Sequence, residues 1–431
     1  PHIGHGRSAV VFDFLIRYLV YLEYEVNFVR NITDIEDKII ERAVEEGIST
    51  KVLADRVTKE FQDAYSSLNC LPPDNEPKAT ETIDHIINFI EVLIENGYAY
   101  ATQSGVYFEV TKFKDYLKLS GRNKDEVISG TRVDLESDKK NTEDFALWKI
   151  SKENEPSWNS PWGDGRPGWH IECSAMIDKI FDSGIDIHCG GNDLIFPHHE
   201  NELAQSSAAF ENQEFVKYWL HNGMINLSGQ KMSKSEGNIK LLNEYIDKFG
   251  GNVIRFFFLR SHYRKPQEFS EDLLEEAKTT FKRIQDFTSN VDADASDLSI
   301  IESFRNSMND DLNTPKFLGE IFEKMNTLNS LSEEGEKNLK ETIKFIFEIL
   351  GFKFDIQDNI KINHEDLSKF FNTFQINYDN LEQAMEEFLA KREKLRSDKD
   401  FNQADVMRDK LKEIGLLIKD GDDSAWYWEN S

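Results

Sequence analysis

Apolar residues recur every three or four positions from Val10 to Leu22 (Val10, Val11, Phe14, Leu15, Tyr18, Leu19, Leu22). That spacing predicts an amphipathic helix, entered from a loop at Pro1-His2-Ile3-Gly4-His5-Gly6. The run Glu25-Val26-Asn27-Phe28-Val29 reads as a strand. Helix then strand is the back half of a βαβ unit, so the first strand is expected upstream of residue 1. The breaker cluster Leu71-Pro72-Pro73-Asp74-Asn75-Glu76-Pro77 marks a boundary. Ile83, Ile86, Ile87, Phe89, Ile90, Leu93 and Ile94 predict a helix over 80–97, closed by Asn96-Gly97. Residues 98–110 read as a hairpin turning at Ser104-Gly105, and 112–160 as polar and loop-rich. Gly, His and Trp are dense from Pro161 to about Ser235. From about 240 onward the pattern is almost all helical, with Leu318, Ile321, Phe322, Met325 and Leu328 as bundle core.

Composition narrows the class. A chain of 431 residues holds two to four domains at roughly 100–200 residues each. With 39% hydrophobic and 30% charged residues it can build real cores, which excludes wholesale disorder. No apolar run is long enough to span a bilayer. Three cysteines, Cys70, Cys173 and Cys189, are too few and too unpaired for a disulfide framework. A reducing compartment, the cytoplasm, is therefore expected. The net charge of -28 argues against a general nucleic-acid coat and against an anionic membrane surface. It leaves room for a local basic track. Residues 391–412 carry eight basic against five acidic side chains, which suits either a solvated helix face or a phosphate track.

Three constellations carry chemistry. His2-Ile3-Gly4-His5 stands at a helix start, where N–H groups and the dipole favour phosphate; two ordinary surface histidines read the same way. Lys231-Met232-Ser233-Lys234-Ser235 sits in a glycine-bounded loop that could close two cations over a triphosphate, or be a plain basic turn. Cys173, His198 and Glu202 offer a thiolate, an imidazole and a carboxylate. The last two are i,i+4, so on a helix they share a face, and the set suits zinc if a fourth ligand exists, with His188 and Cys189 also nearby in sequence. The bland reading is a buried thiol and hydrogen-bonded histidines. Trp169 stands one helical turn before Cys173, Thr33 follows a strand end, and Asp193 closes Gly190-Gly191-Asn192-Asp193. Each also fits a core, cap or turn role.

The segments PHIGHGRS, NITDIEDKI, GWHIECSAM, GGNDLIFPHHENE and KMSKS together resemble the cysteinyl-tRNA synthetase family of class I aminoacyl-tRNA synthetases, across nearly the whole chain. The resemblance implies an α/β fold, with a Rossmann-type catalytic domain in 1–70 and 161–240. It places a connective insertion at 71–160 and a linking helical region at 241–300. A helical anticodon-binding bundle at 301–390 and a tRNA-contacting segment at 391–431 would follow. It implies ATP binding by His2, Gly4, His5, Asp193, Lys231 and Lys234, with Mg²⁺, and catalysis by His2, His5, Lys231 and Lys234. Thr33 and Trp169 would hold the substrate cysteine. Cys173, His198 and Glu202 would bind one Zn²⁺, with a fourth ligand, a cysteine, upstream of the first histidine motif. The implied partners are cysteine, ATP and cysteine tRNA, acting on a monomer with no membrane. Ser424-Ala425-Trp426 departs from the Gly-Thr that the family often has before the tryptophan. Two rivals are a cysteine:amino-sugar ligase of mycothiol synthesis and a non-catalytic tRNA-binding paralogue. The basic 391–412 segment weighs against the first, and intact histidines and lysines in both ATP motifs against the second.

Overall fold

The computed structural model describes residues 1–123, 138–153, 155–182, 184–210, 213–227, 230–231, 240–327, 331–354, 364–378, 380–398, 400–414, 416–419 and 425–428. The first helix spans Ile3–Tyr21, and its buried side chains Val10, Val11, Phe14 and Tyr18 follow the stripe read from the sequence. It starts earlier than expected. His2 is the N-cap, so Ile3-Gly4-His5 is the first helical turn and not a loop before it.

The strand expected at Glu25–Val29 does not form. The chain there makes only isolated parallel bridges, Val29 to Asn75 and Ile32 to Lys78. Arg30 and Ile32 N–H groups donate to the Asn75 and Pro77 carbonyls. Pro77 has no N–H to return, so no ladder extends. Two helices follow, Asp37–Glu46 and Thr50–Ser67.

The helix expected over 80–97 spans Ile83–Glu95, with Gly97 in the left-handed region just beyond its end. The hairpin is present as Ala99–Ala101 paired with Gly105–Phe108. It belongs to a four-stranded antiparallel sheet completed by Phe145–Ile150 and Gly165–Pro167. The middle strand Phe145–Ile150 lies within the span read as loop-rich, and it buries Leu147 and Trp148. This sheet, the helix Ile83–Glu95 and two later helices share one core around Phe89, Phe108 and Trp148.

The α/β expectation holds in the segment dense in histidine. Strands Ile185–Gly191 and Val216–Asn222 pair in parallel, joined through the helix Glu200–Ala209, which is a βαβ unit. Beside it runs the helix Trp169–Phe181. Its cap Gly168 lies so close to the preceding sheet that an added Cβ would sit 2.0 Å from the Ala146 carbonyl oxygen. A small sheet follows, with Ile225–Leu227 between Gln230–Lys231 and Gln267–Phe269. Helices Leu242–Phe249, Gly251–Leu259, Glu271–Phe287, Leu298–Asn309, Thr314–Asn326 and Glu333–Ile349 complete the first compact unit, Pro1–Phe352.

The second unit is Lys353–Ser431, and the break falls inside the span 301–390. It packs helices His364–Thr373, Leu381–Ser397 and Phe401–Glu413 around Phe371, Met385, Phe388 and Leu411. Its antiparallel pair Leu416–Lys419 and Ala425–Trp428 corrects the purely helical reading. The basic 391–412 stretch is divided between two helices, the second capped by Asp400, whose side chain accepts from the Gln403 N–H. No helix among the described residues is long and apolar enough to cross a membrane.

Candidate active site and metal centre

The two histidines of the first motif cap their own helix. His2 Nδ1 accepts from the Gly4 and His5 N–H groups at 3.1 and 3.4 Å, and His5 Nδ1 accepts from the His2 N–H at 3.2 Å. The rings stack with centroids 3.6 Å apart. Because both Nδ1 atoms accept, the proton of each neutral ring sits on Nε2, so both rings are donors at that atom. The first turn contains no acidic residue, which keeps the positive end of the dipole available to an anion.

Cys173, His198 and Glu202 come together from two helices. The helix Trp169–Phe181 presents Cys173, and a short π-turn, Ile195–His199, leads into the helix that carries Glu202. Cys173 Sγ lies 3.5 Å from His198 Nε2, and that nitrogen lies 2.9 Å from Glu202 Oε1. All three ligand atoms are within 4.8 Å of one another, and all three residues are buried. Glu202 Oε1 makes no aligned hydrogen bond despite being fully buried. A tetrahedral ion with bonds of about 2.3 Å to sulfur and 2.0 Å to nitrogen would space those two ligands about 3.5 Å apart. An orphaned carboxylate oxygen, a thiol and an imidazole at that spacing fit zinc.

The surrounding histidines fix how these donors point. His198 Nδ1 lies 2.9 Å from His170 Nδ1, and burial holds His170 neutral by pushing its pKa down to about 3. The remaining lone pair of His198 can then sit on Nε2, facing Cys173. His188 Nε2 donates to Glu202 Oε2 at 2.8 Å. Burial alone would raise the Glu202 carboxyl, but His188 and His198 outweigh it and hold it well below the usual range. His188 stacks on His199, which is bonded at 2.8 Å to His221. Burial pushes His199 down to about 2 and His221 to about 4, so these two rings are uncharged. Burial also pushes the Cys173 thiol well above its ordinary range, and a bound cation would reverse that.

The other expected residues differ in where they lie. Trp169 is partly exposed and stacks on His198, ring centroids 4.3 Å apart. A cavity of about 1280 Å³ is lined by His5, Thr33, Cys173, His188, Gly190 and Gly191 together. Asp193 is exposed in the turn after Ile185–Gly191. Lys231 ends the short strand Gln230–Lys231, and Lys234 lies outside the described residues.

Residues 1–279 match the family described as tRNA synthetases class I (C) catalytic domain. The chain belongs to the cysteinyl-tRNA synthetase family. Residues 303–355 match the DALR domain and 379–428 the cysteinyl-tRNA ligase anticodon binding domain. The cysteine–tRNA ligase of Trichlorobacter lovleyi is 41% identical, across 99% of this chain and 92% of its own. That of Acinetobacter baumannii is 44% identical, across 97% of this chain and 90% of its own. The crystal structure of Mycobacterium tuberculosis methionyl-tRNA synthetase with methionyl-adenylate shares the fold, with a TM-score of 0.58 at 16% identity. It covers 81% of this chain and 87% of that one.

Within this cysteinyl-tRNA synthetase chain the sequence had pointed only loosely to His188, and had missed His170, His221 and Glu200. Glu200 is fully buried, and its carboxylate accepts the Leu117 and Ser120 N–H groups at 2.9 and 2.7 Å. Tyr116 donates to Asn201 at 2.6 Å. The middle of the HHENE motif therefore clamps the 116–120 loop onto the helix that carries Glu202. No sequence signal identified it, because the clamp joins residues about 80 positions apart. Glu172, beside Cys173, is buried with neither carboxylate oxygen bonded among the described residues. Burial and Asp34 raise its carboxyl, against Thr33 beside it.

Proposed function

We propose that this chain activates cysteine with ATP and transfers it to the 3′ end of cysteine tRNA, with a zinc ion held by Cys173, His198 and Glu202 selecting the substrate thiolate. The meeting of those three buried ligand atoms, with Cys173 lining a cavity that Thr33 and His5 also line, carries the reading. Zinc, when bound, supplies a Lewis acid that prefers a thiolate to the alcohol of serine. Shape alone separates such isosteres poorly, which is why a metal-ligand criterion suits a cysteine pocket.

The chain's own groups do the rest. Trp169, stacked over His198, and Thr33, which lines the cavity together with Cys173, would hold the substrate cysteine. The cysteine carboxylate attacks the α-phosphorus of ATP in line, the bond to the bridging oxygen breaks, and pyrophosphate leaves with Mg²⁺. His2 and His5, each with its proton on Nε2, would donate to phosphate oxygens at the helix N-terminus. Lys231 and Lys234 would add positive charge for the phosphates. A ribose hydroxyl of the terminal tRNA adenosine then attacks the acyl carbon and AMP leaves. No protein nucleophile is required.

Attachment of labelled cysteine to tRNA decides the reading. Charging of cysteine tRNA with no serine incorporation is the expected result. Cysteine-dependent pyrophosphate exchange without any tRNA charging would replace it with the cysteine:amino-sugar ligase. Absence of both activities would leave the non-catalytic paralogue.

A further inference from the structure

Three segments meet at one buried point behind the ATP motifs. Arg7, immediately after the first histidine motif, is fully buried. Its guanidinium donates to the carbonyls of Gly223 (2.9 Å), Met224 (3.0 Å), His262 (3.4 Å), Tyr263 (3.3 Å) and Lys265 (2.6 Å). Among the described residues no carboxylate shares it, so one cation gathers five carbonyl dipoles. Ser8 donates to Asn222 Oδ1 at 2.9 Å, and the Asn222 carbonyl accepts the Asn192 N–H at 3.0 Å. The turn carrying Asp193 is thereby tied to the same helix.

Both ends of the segment bearing Lys231–Ser235 return here. Its leading strand, Ile225–Leu227, begins directly after the Gly223-Met224 pair that Arg7 holds. Its trailing end pairs with the motif itself: Ile3 donates to Lys240 and Leu242 donates to Pro1, both at 3.0 Å. Gly223 is packed so closely that an added Cβ would lie 2.3 Å from the Lys265 carbonyl oxygen. The junction has no slack.

From this geometry we propose that Arg7, with Ser8 and Asn222, is a positioning junction that sets the two ATP motifs and the Gly190–Asp193 turn in register for adenylate formation. Arg7 and Asn222 do not line the cavity, and Ser8 meets its edge. Its fork geometry matters because one planar group must reach carbonyls from two loops, which an ammonium cannot reproduce. This inference rests on the ligase reading above.

The test is cysteine-dependent pyrophosphate exchange by the full chain, with rates expressed per active site titrated by adenylate burst. Arg7→Lys is expected to lower kcat roughly 10-fold or more, because small misplacements of reacting groups carry large rate costs, while KM for cysteine stays within about 2-fold. Equal kcat per titrated site in Arg7→Lys would mean that Arg7 only holds the fold, and would overturn the proposal. Should Arg7→Lys not fold, Ser8→Ala, which removes one hydrogen bond at a half-buried site, decides it. A kcat lowered about 3-fold or more supports the junction, and an unchanged kcat overturns it. Exchange absent from the unsubstituted protein would instead remove the ligase reading and this assignment with it.

Discussion

At the scale of single residues, the proposed metal centre depends on groups that would not themselves be ligands. His188 binds Glu202 Oε2, which leaves Oε1 beside His198 Nε2. Its removal leaves Glu202 fully buried with one fewer donor. His188→Ala is therefore expected to weaken zinc affinity about 10–100-fold, the usual cost of losing an outer partner. Metal content after titration with a competing chelator measures it, and unaltered affinity would remove His188 from the site. Cys173, His198 and Glu202 were legible as candidates because an i,i+4 pair shares a helical face whatever the fold around it. His170 and His221 were not, since their places depend on ring-to-ring contacts across elements.

At the scale of elements, the Trp169–Phe181 helix sets the thiol wall of the pocket, and the sheet beside it sets the helix. Gly168 is where the two meet. A methyl there would collide with backbone, since the Ala146 oxygen and carbon would lie 2.0 and 2.8 Å from it. Gly168→Ala is expected to cost about 1–3 kcal/mol through overpacking. Chemical denaturation reads that cost, and an unshifted midpoint would show that the helix can move off the sheet freely. The helices at 3–21 and 83–95 were readable because a periodic apolar stripe is a local feature. Strands were less readable because they need partners. Glu25–Val29 has the right residues and no ladder, whereas Phe145–Ile150, inside a polar stretch, acquires two antiparallel neighbours and becomes the middle of a sheet.

At the scale of the whole molecule, the first unit closes on itself before the second begins. Phe352 is buried against Phe281 and Phe347, with ring centroids 5.1 and 5.0 Å away. Just ahead of it the Leu350 carbonyl accepts from Arg255, which also pairs with Asp13 of the first helix. That arginine is fully buried and reaches the Leu68 carbonyl as well, so the end of the last helix is locked to the helix that carries the histidine motif. Every candidate ligand of ATP, cysteine and zinc among the described residues lies in this unit, and the match to the anticodon binding domain lies in the other. A chain ending after residue 354 should therefore keep its core. It should retain cysteine-dependent pyrophosphate exchange within about 3-fold while its kcat/KM for tRNA charging falls about 100-fold or more. Exchange and charging measured side by side separate the two units. A parallel loss of both would mean that the second unit builds part of the activation site. Undiminished charging would mean that the acceptor end alone carries tRNA selection, with the basic 391–412 segment a solvated face.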